Sequence, residues 1–269
     1  SQAQPRANVE TRLMQPMEGA RLVRTMVAVA DTSLSYASKE NGDGLQQLAI
    51  IDFSVKQGDK LVAQQQVQLS GPAVNPRDTL EAALSFLIDQ FSVLLGPGEY
   101  DIAIIVKDGN TPEAEAFKYS SSLQLDDKDM QPLHSEAVFY SSLVPADEST
   151  SNRFRQSEFE IVPRPQASAF IGEDTLQFYW EVYNAEELIG EPYYTEIQLL
   201  AASTRKAVGG HRTILKPQAP TAFSAQAIDM DISDLPSQTY LLDVQFKSNA
   251  GERKGGFQQK FFVYNPKAK

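Results

Sequence analysis

Two stretches of this chain, LLGPGEYDIAIIVKD at 94–108 and SDLPSQTYLLDVQFKS at 233–248, carry the same pattern. Each has a leucine and a proline-containing turn before a tyrosine, Tyr100 or Tyr240. Apolar residues then follow at every second position: Ile102, Ile104 and Val106 in the first, Leu242, Val244 and Phe246 in the second. A period of two places those side chains on one face of a strand, so each copy reads as a half-buried antiparallel strand led by a tyrosine. Such a tyrosine near a strand start resembles the corner residue of immunoglobulin-like sandwiches, whose hydroxyl bonds back to nearby backbone. The copies lie too far apart for a solenoid, and two related sandwich domains account for the interval.

Other segments agree. In LAIIDFSV, Ala49, Ile51, Phe53 and Val55 share a face; a Gly-Asp turn in KQGDK then leads into LVAQQQVQL, which predicts a hairpin. In LQFYWEVYN, Leu176, Phe178, Trp180 and Val182 point one way, and Gln177, Tyr179, Glu181 and Tyr183 the other. The segment RDTLEAALSFLIDQFSVLL is ambiguous: Asp78 suits a helix cap, yet Leu84, Phe86 and Ile88 alternate. A short helical turn or bulge followed by a strand is expected there. The fold class is therefore all-β, two tandem immunoglobulin-like or fibronectin-like sandwiches. The expected division is a flexible lead-in over 1–22, a first sandwich over 23–126, a connector over 127–156 and a second sandwich over 157–269.

The net charge of −11 argues against nucleic acid as a partner, because phosphate binding needs a cationic face. Arg6, Arg12, Arg21 and Arg24 gather early but read as a solvated arm. No cysteine is present, which excludes disulfides and cysteine nucleophiles. No apolar run has the length of a membrane-spanning helix. The opening SQAQPRAN lacks an initiator Met and reads as a mature end left after signal-peptide removal, so a secreted, periplasmic or cell-surface location is expected.

Residues able to carry chemistry are few. His134 and His211 stand alone and read as polar loop residues. Calcium, which wants six to eight oxygens, has three candidate clusters. They are Asp126, Asp127 and Asp129 in LDDKDM, Asp229, Asp231 and Asp234 in IDMDISD, and Asp43 in NGDG. None has the spaced glycine and distal glutamate of a calcium loop, and solvated turns are the plainer reading. Glu181, flanked by tyrosines, could pair with Glu196 in the manner of a glycosidase, or serve as a cross-strand partner. Tyr179 and Tyr183, joined by Tyr193 and Tyr194, form either an aromatic strip for sugars or proteins, or a packed seam.

The run EIVPRPQASAF, LQFYWEVYN, YYTEIQLL, LPSQTYLLDVQF and FFVYNP resembles the β-sandwich region that precedes the signature motif in GWxTD domain-containing bacterial proteins. Tyr179, Glu181, Tyr183 and Asn184 match a strand of that family. Ala185 stands where leucine is common, Arg164 replaces an asparagine between prolines, and the Gly-Trp-x-Thr-Asp signature is absent. The resemblance covers about residues 157–266 and implies an exported bacterial β-sandwich protein with no catalytic residue to carry over. The leading expectation is a non-catalytic envelope module that assembles with protein partners. A carbohydrate-binding protein using the tyrosine strip and a glycan-active enzyme using Glu181 are the alternatives.

Overall fold

The computed structural model describes residues 4–38, 44–75, 85–148 and 153–267. The fold is all-β, built of mostly antiparallel sheets, and no helix among the described residues is long and apolar enough to cross a membrane. The chain forms two compact units, Ser1–Thr11 with Leu22–Met130, and Arg12–Arg21 with Gln131–Lys269.

The first eight strands are β1 (Ala7–Met17), β2 (Ala20–Ala30), β3 (Tyr36–Ser38), β4 (Leu45–Gln57), β5 (Lys60–Ser70), β6 (Phe86–Leu95), β7 (Gly98–Asp108) and β8 (Phe117–Leu125). One sheet runs β1-β2-β6. The other runs β3-β4-β7-β8, with β5 on β4. Ala49, Ile51, Phe53 and Val55 of β4 and Ile102, Ile104 and Val106 of β7 are buried, as the period-two reading requires. Between the sheets Phe53 stacks on Phe91 of β6, ring centroids 4.8 Å apart.

The remaining strands are β9 (Val138–Pro145), β10 (Arg155–Gln156), β11 (Phe159–Pro163), β12 (Ala169–Ile171), β13 (Thr175–Tyr183), β14 (Tyr193–Ala201), β15 (Ala207–Ile214), β16 (Phe223–Asp231), β17 (Gln238–Ser248) and β18 (Arg253–Tyr264). A single helical turn, α1 (Ala185–Leu188), follows β13. The sheets are β10-β11-β9-β13-β16 and β12-β18-β17-β14-β15. One core takes Phe139, Leu176, Phe178, Trp180 and Val182 from the first sheet, and Ile197, Leu199, Tyr240, Leu242, Val244 and Phe246 from the second. That shared core makes the unit a sandwich.

The two units repeat one strand order. The run β5-β4-β7-β8 matches β15-β14-β17-β18, and β1-β2-β6 matches β9-β13-β16. The repeat legible at Tyr100 and Tyr240 is thus one strand of a larger correspondence. Both hydroxyls donate four residues back, Tyr100 to the Gly96 carbonyl at 3.0 Å and Tyr240 to the Pro236 carbonyl at 2.8 Å. Each tyrosine-led strand is central, so its row of apolar residues is covered by both ladder neighbours and by the opposite sheet.

The structure differs from the expected boundaries in two places. Residues 7–17, expected within a flexible lead-in, form β1, which turns through Glu18 and Gly19, both at positive φ, into β2. Two successive residues at positive φ are what a tight hairpin needs. Strand β1 has mixed burial and contains Pro16, so its sequence shows no clean alternation. The expected connector is also part of the second sandwich: Val138 and Phe139 of β9 pair with β13, and β10 extends the same sheet. The predicted helical onset at Asp78 and the Asp43 cluster lie outside the described residues. The strand expected beyond Asp78 is β6.

Candidate functional site

On β13 the inward row is core, and Trp180 stacks on Phe178 with centroids 5.5 Å apart. The outer row is also enclosed. Tyr179 is fully buried in a second, smaller cluster with Tyr140 of β9 and Ile161 of β11. Glu181 is only 3% exposed. Tyr179 Oη donates to Glu181 Oε1 at 2.9 Å, and Gln156 Nε2 donates to the same oxygen at 3.0 Å. Tyr183 Oη donates to Glu181 Oε2. The Glu181 backbone and Ser135 close the arrangement: Glu181 N–H donates to the side-chain Oγ of Ser135, and Ser135 N–H to the Glu181 carbonyl, each at 3.0 Å.

The cover comes from residues distant in sequence. Arg21 is buried, donates from Nη2 to the His134 carbonyl at 3.1 Å, and donates from Nε to the Met14 carbonyl. Leu13 N–H donates to Glu136 Oε2 at 2.8 Å, and Glu136 N–H donates to the Leu13 carbonyl at 3.1 Å. Arg21, expected in a solvated arm, is therefore interior. The Tyr183 hydroxyl is pushed well above its ordinary pKa, by burial first and by the Glu181 charge second, with Arg21 opposing. A carboxylate whose two oxygens are both taken by buried donors acts as a clamp, tying β13 to β10 through Gln156, while the Glu181 backbone ties β13 to the segment around Ser135.

The expected tyrosine strip is thus not a surface. Tyr179 and Tyr183 are buried on the outer side of β13, Tyr193 faces the core, and Tyr194 lies half-buried on the outer side of β14. Tyr193 Oη accepts from Gln218 Nε2 at 2.6 Å. Glu196 also lies on the outer side of β14, where it accepts from Arg212 Nη2 at 2.9 Å and Lys247 Nζ at 3.0 Å. Those donors hold its carboxyl below the usual carboxylate range, against burial. Glu181 and Glu196 point away from opposite faces of one core, so they cannot flank a common bond.

The aspartates are engaged locally. Asp126 pairs with Lys128 at 3.5 Å, and its backbone N–H donates to Asp129 Oδ2 at 2.7 Å; Asp127 opens the 3-10 turn Asp127–Met130. Asp229 accepts from Tyr140 Oη at 3.0 Å, Asp231 from the Ser233 N–H at 2.9 Å, and Asp234 Oδ1 lies 3.1 Å from His211 Nε2. This second set does come together with His211 and Arg212 along an open groove of about 440 Å³. Among the described residues no group of three or more His, Asp or Glu is placed to hold a metal ion. Neither histidine is a loop residue in solvent: His211 is a buried residue of β15, and the His134 ring lies 4.9 Å from Phe257 and 5.9 Å from Phe246.

Arg164, noted in the sequence only as a replacement, proves to be a buried joint. It forms a forked ion pair with Glu173, donates to the Ala169 carbonyl at 3.1 Å, and lies 3.9 Å over the Phe170 ring. It thereby fixes β12, whose Ile171 pairs in parallel register with Tyr264 and whose Ala169 pairs with Phe262. Since Phe170, Phe261 and Val263 face the core, their neighbours face outward: Ile171 is 58% exposed, Tyr264 49% and Phe262 42%. This contiguous apolar and aromatic patch was missed because each residue alone reads as ordinary alternation. The signal available was FFVY, where both outward positions are aromatic.

Fold and site together define an all-β protein with a buried polar cluster around Glu181 and, among the described residues, an exposed apolar and aromatic patch on β12 and β18. No family model matches the chain, and no curated protein sequence matches it.

Proposed function

We propose that this protein is a non-catalytic interaction module that holds a protein partner on a rigid β-surface, and that it serves in the bacterial cell envelope, the compartment its GWxTD resemblance implies. The observation that carries the reading is the Ile171, Phe262 and Tyr264 patch. Large side chains exposed side by side on paired strands mark contact sites more often than scattered single residues do. Their backbone is held by the β17–β18 ladder and by the Arg164–Glu173 joint, so a partner meets a surface with little ordering left to do. The chemistry favours a partner with an apolar or aromatic anchor.

A photo-reactive amino acid placed at Phe262, with Gln177 on the other sheet as control, tests the reading in the native envelope. Discrete adducts from the Phe262 position alone, lost in an I171S/Y264S background, are the expected result. Equal labelling from both positions, or adducts that survive the double substitution, would overturn it.

A further inference from the structure

We propose that strand β5 is a self-association edge, pairing antiparallel with the same strand of a second copy of this chain. The inference uses the other unit and does not rest on the patch. Among the described residues β4 is the only ladder partner of β5; β6 comes near without joining it. An edge strand presents a row of unpaired N–H and C=O groups, which natural chains guard with lysine, proline or a bulge. Here the guards stand at one end: Lys60, and the register shift opposite Val55 and Lys56. From Ala63 to Ser70 the sequence AQQQVQLS has no charge and no proline, in a chain of net charge −11. Its glutamines and Ser70 are exposed, and Ala63, Val67 and Leu69 are half-buried. Two copies meet here without charge repulsion.

The stretch is also self-complementary. Two-fold pairing about Gln65 sets Ala63 against Val67, and Gln65 against its own copy, on the face shared with Ile51 and Phe53. On the opposite face it sets Gln64 against Gln66. From Ala63 to Val67 apolar meets apolar and amide meets amide, and each amide supplies both donor and acceptor. An isologous pairing of this kind uses up the edge and closes at a dimer.

Because the chain has no cysteine, single cysteines give a clean register test. Directly opposed residues have Cα atoms about 4.5–5.5 Å apart, within the roughly 4.4–6.8 Å that a disulfide spans. Q65C should therefore cross-link two copies under mild oxidation, whereas Q64C, which faces Gln66, should not. In sedimentation velocity the native chain should shift from monomer to dimer with concentration. Q64K/Q66K should weaken that dimer at least tenfold, and Q64E/Q66K, which sets opposite charges across the same register and keeps the lysine beside Asp52, should restore it. Gln66 donates to Asp52 at 2.5 Å, so a lysine there keeps a partner in the monomer. An unchanged melting temperature in Q64K/Q66K separates lost association from lost folding. A monomer at every concentration, a dimer indifferent to Q64K/Q66K, or equal cross-linking of Q64C and Q65C would overturn the proposal.

Discussion

Tyr240 reaches back four residues to donate its hydroxyl to the Pro236 carbonyl at 2.8 Å, across the turn that launches the central strand of its sandwich. Tyr100 does the same to Gly96 at 3.0 Å. The bond ties a strand to the loop before it, a junction where the ladder itself offers the backbone no partner. A phenylalanine at either position keeps the ring and leaves that carbonyl without its donor. Y240F should therefore destabilise its unit by about 1–2 kcal/mol, and Y100F should do the same for the other. Urea unfolding of Y240F followed by Trp180 emission checks the second unit alone, since Trp180 is the only tryptophan; far-UV circular dichroism serves for Y100F. Midpoints equal to the native value would show the bonds to be idle.

Glu181 gives a larger effect. Glutamine there keeps the shape but turns one oxygen into a donor, facing the hydroxyls of Tyr179 or Tyr183 and the amide of Gln156. The cost should be about 2–4 kcal/mol, because buried donors are left facing a donor. Y183F, which removes one of the three donors and leaves the carboxylate the other two, should cost less. Denaturation monitored at Trp180 reads both variants, and a Glu181→Gln protein as stable as the native chain would contradict the clamp.

His134 should shape the acid limb of stability. Burial first, and the Arg21 charge in addition, lower its pKa below the ordinary 6.5, while hydrogen bonds to backbone and the Glu136 charge oppose the shift. The unfolded chain therefore binds the proton more readily than the folded one. Its contribution is present above about pH 6.5 and is lost as pH falls towards the folded value. In H134F, which keeps an aromatic ring beside Phe246 and Phe257, the decline in melting temperature as pH falls below about 6.5 should flatten. A decline identical to that of the native chain would assign the acid limb to other groups.

Much of the fold was legible because strand patterning is local. Ile102, Ile104 and Val106, and Leu242, Val244 and Phe246, are buried where their alternation put them, and Phe53 and Trp180 likewise. Strand β1 was illegible for the converse reason: ANVETRLMQPM mixes polar and apolar residues without a period, and its burial is correspondingly mixed. The candidate site was half legible. The special character of the Tyr179, Glu181 and Tyr183 row was visible, but its direction was not, and the row proved to face a cover rather than solvent.

The sequence alone determined which side chains share a face, and where a tyrosine anchors a strand, because both follow from a two-residue period and a turn four residues long. Only the tertiary structure decided that Ser135 and Gln156 meet Glu181, that Arg21 is buried against the His134 carbonyl, and that Ile171 comes to lie beside Tyr264. Those partners are brought together by sheet order, and whether an outward face meets water or protein depends on segments far away in the chain.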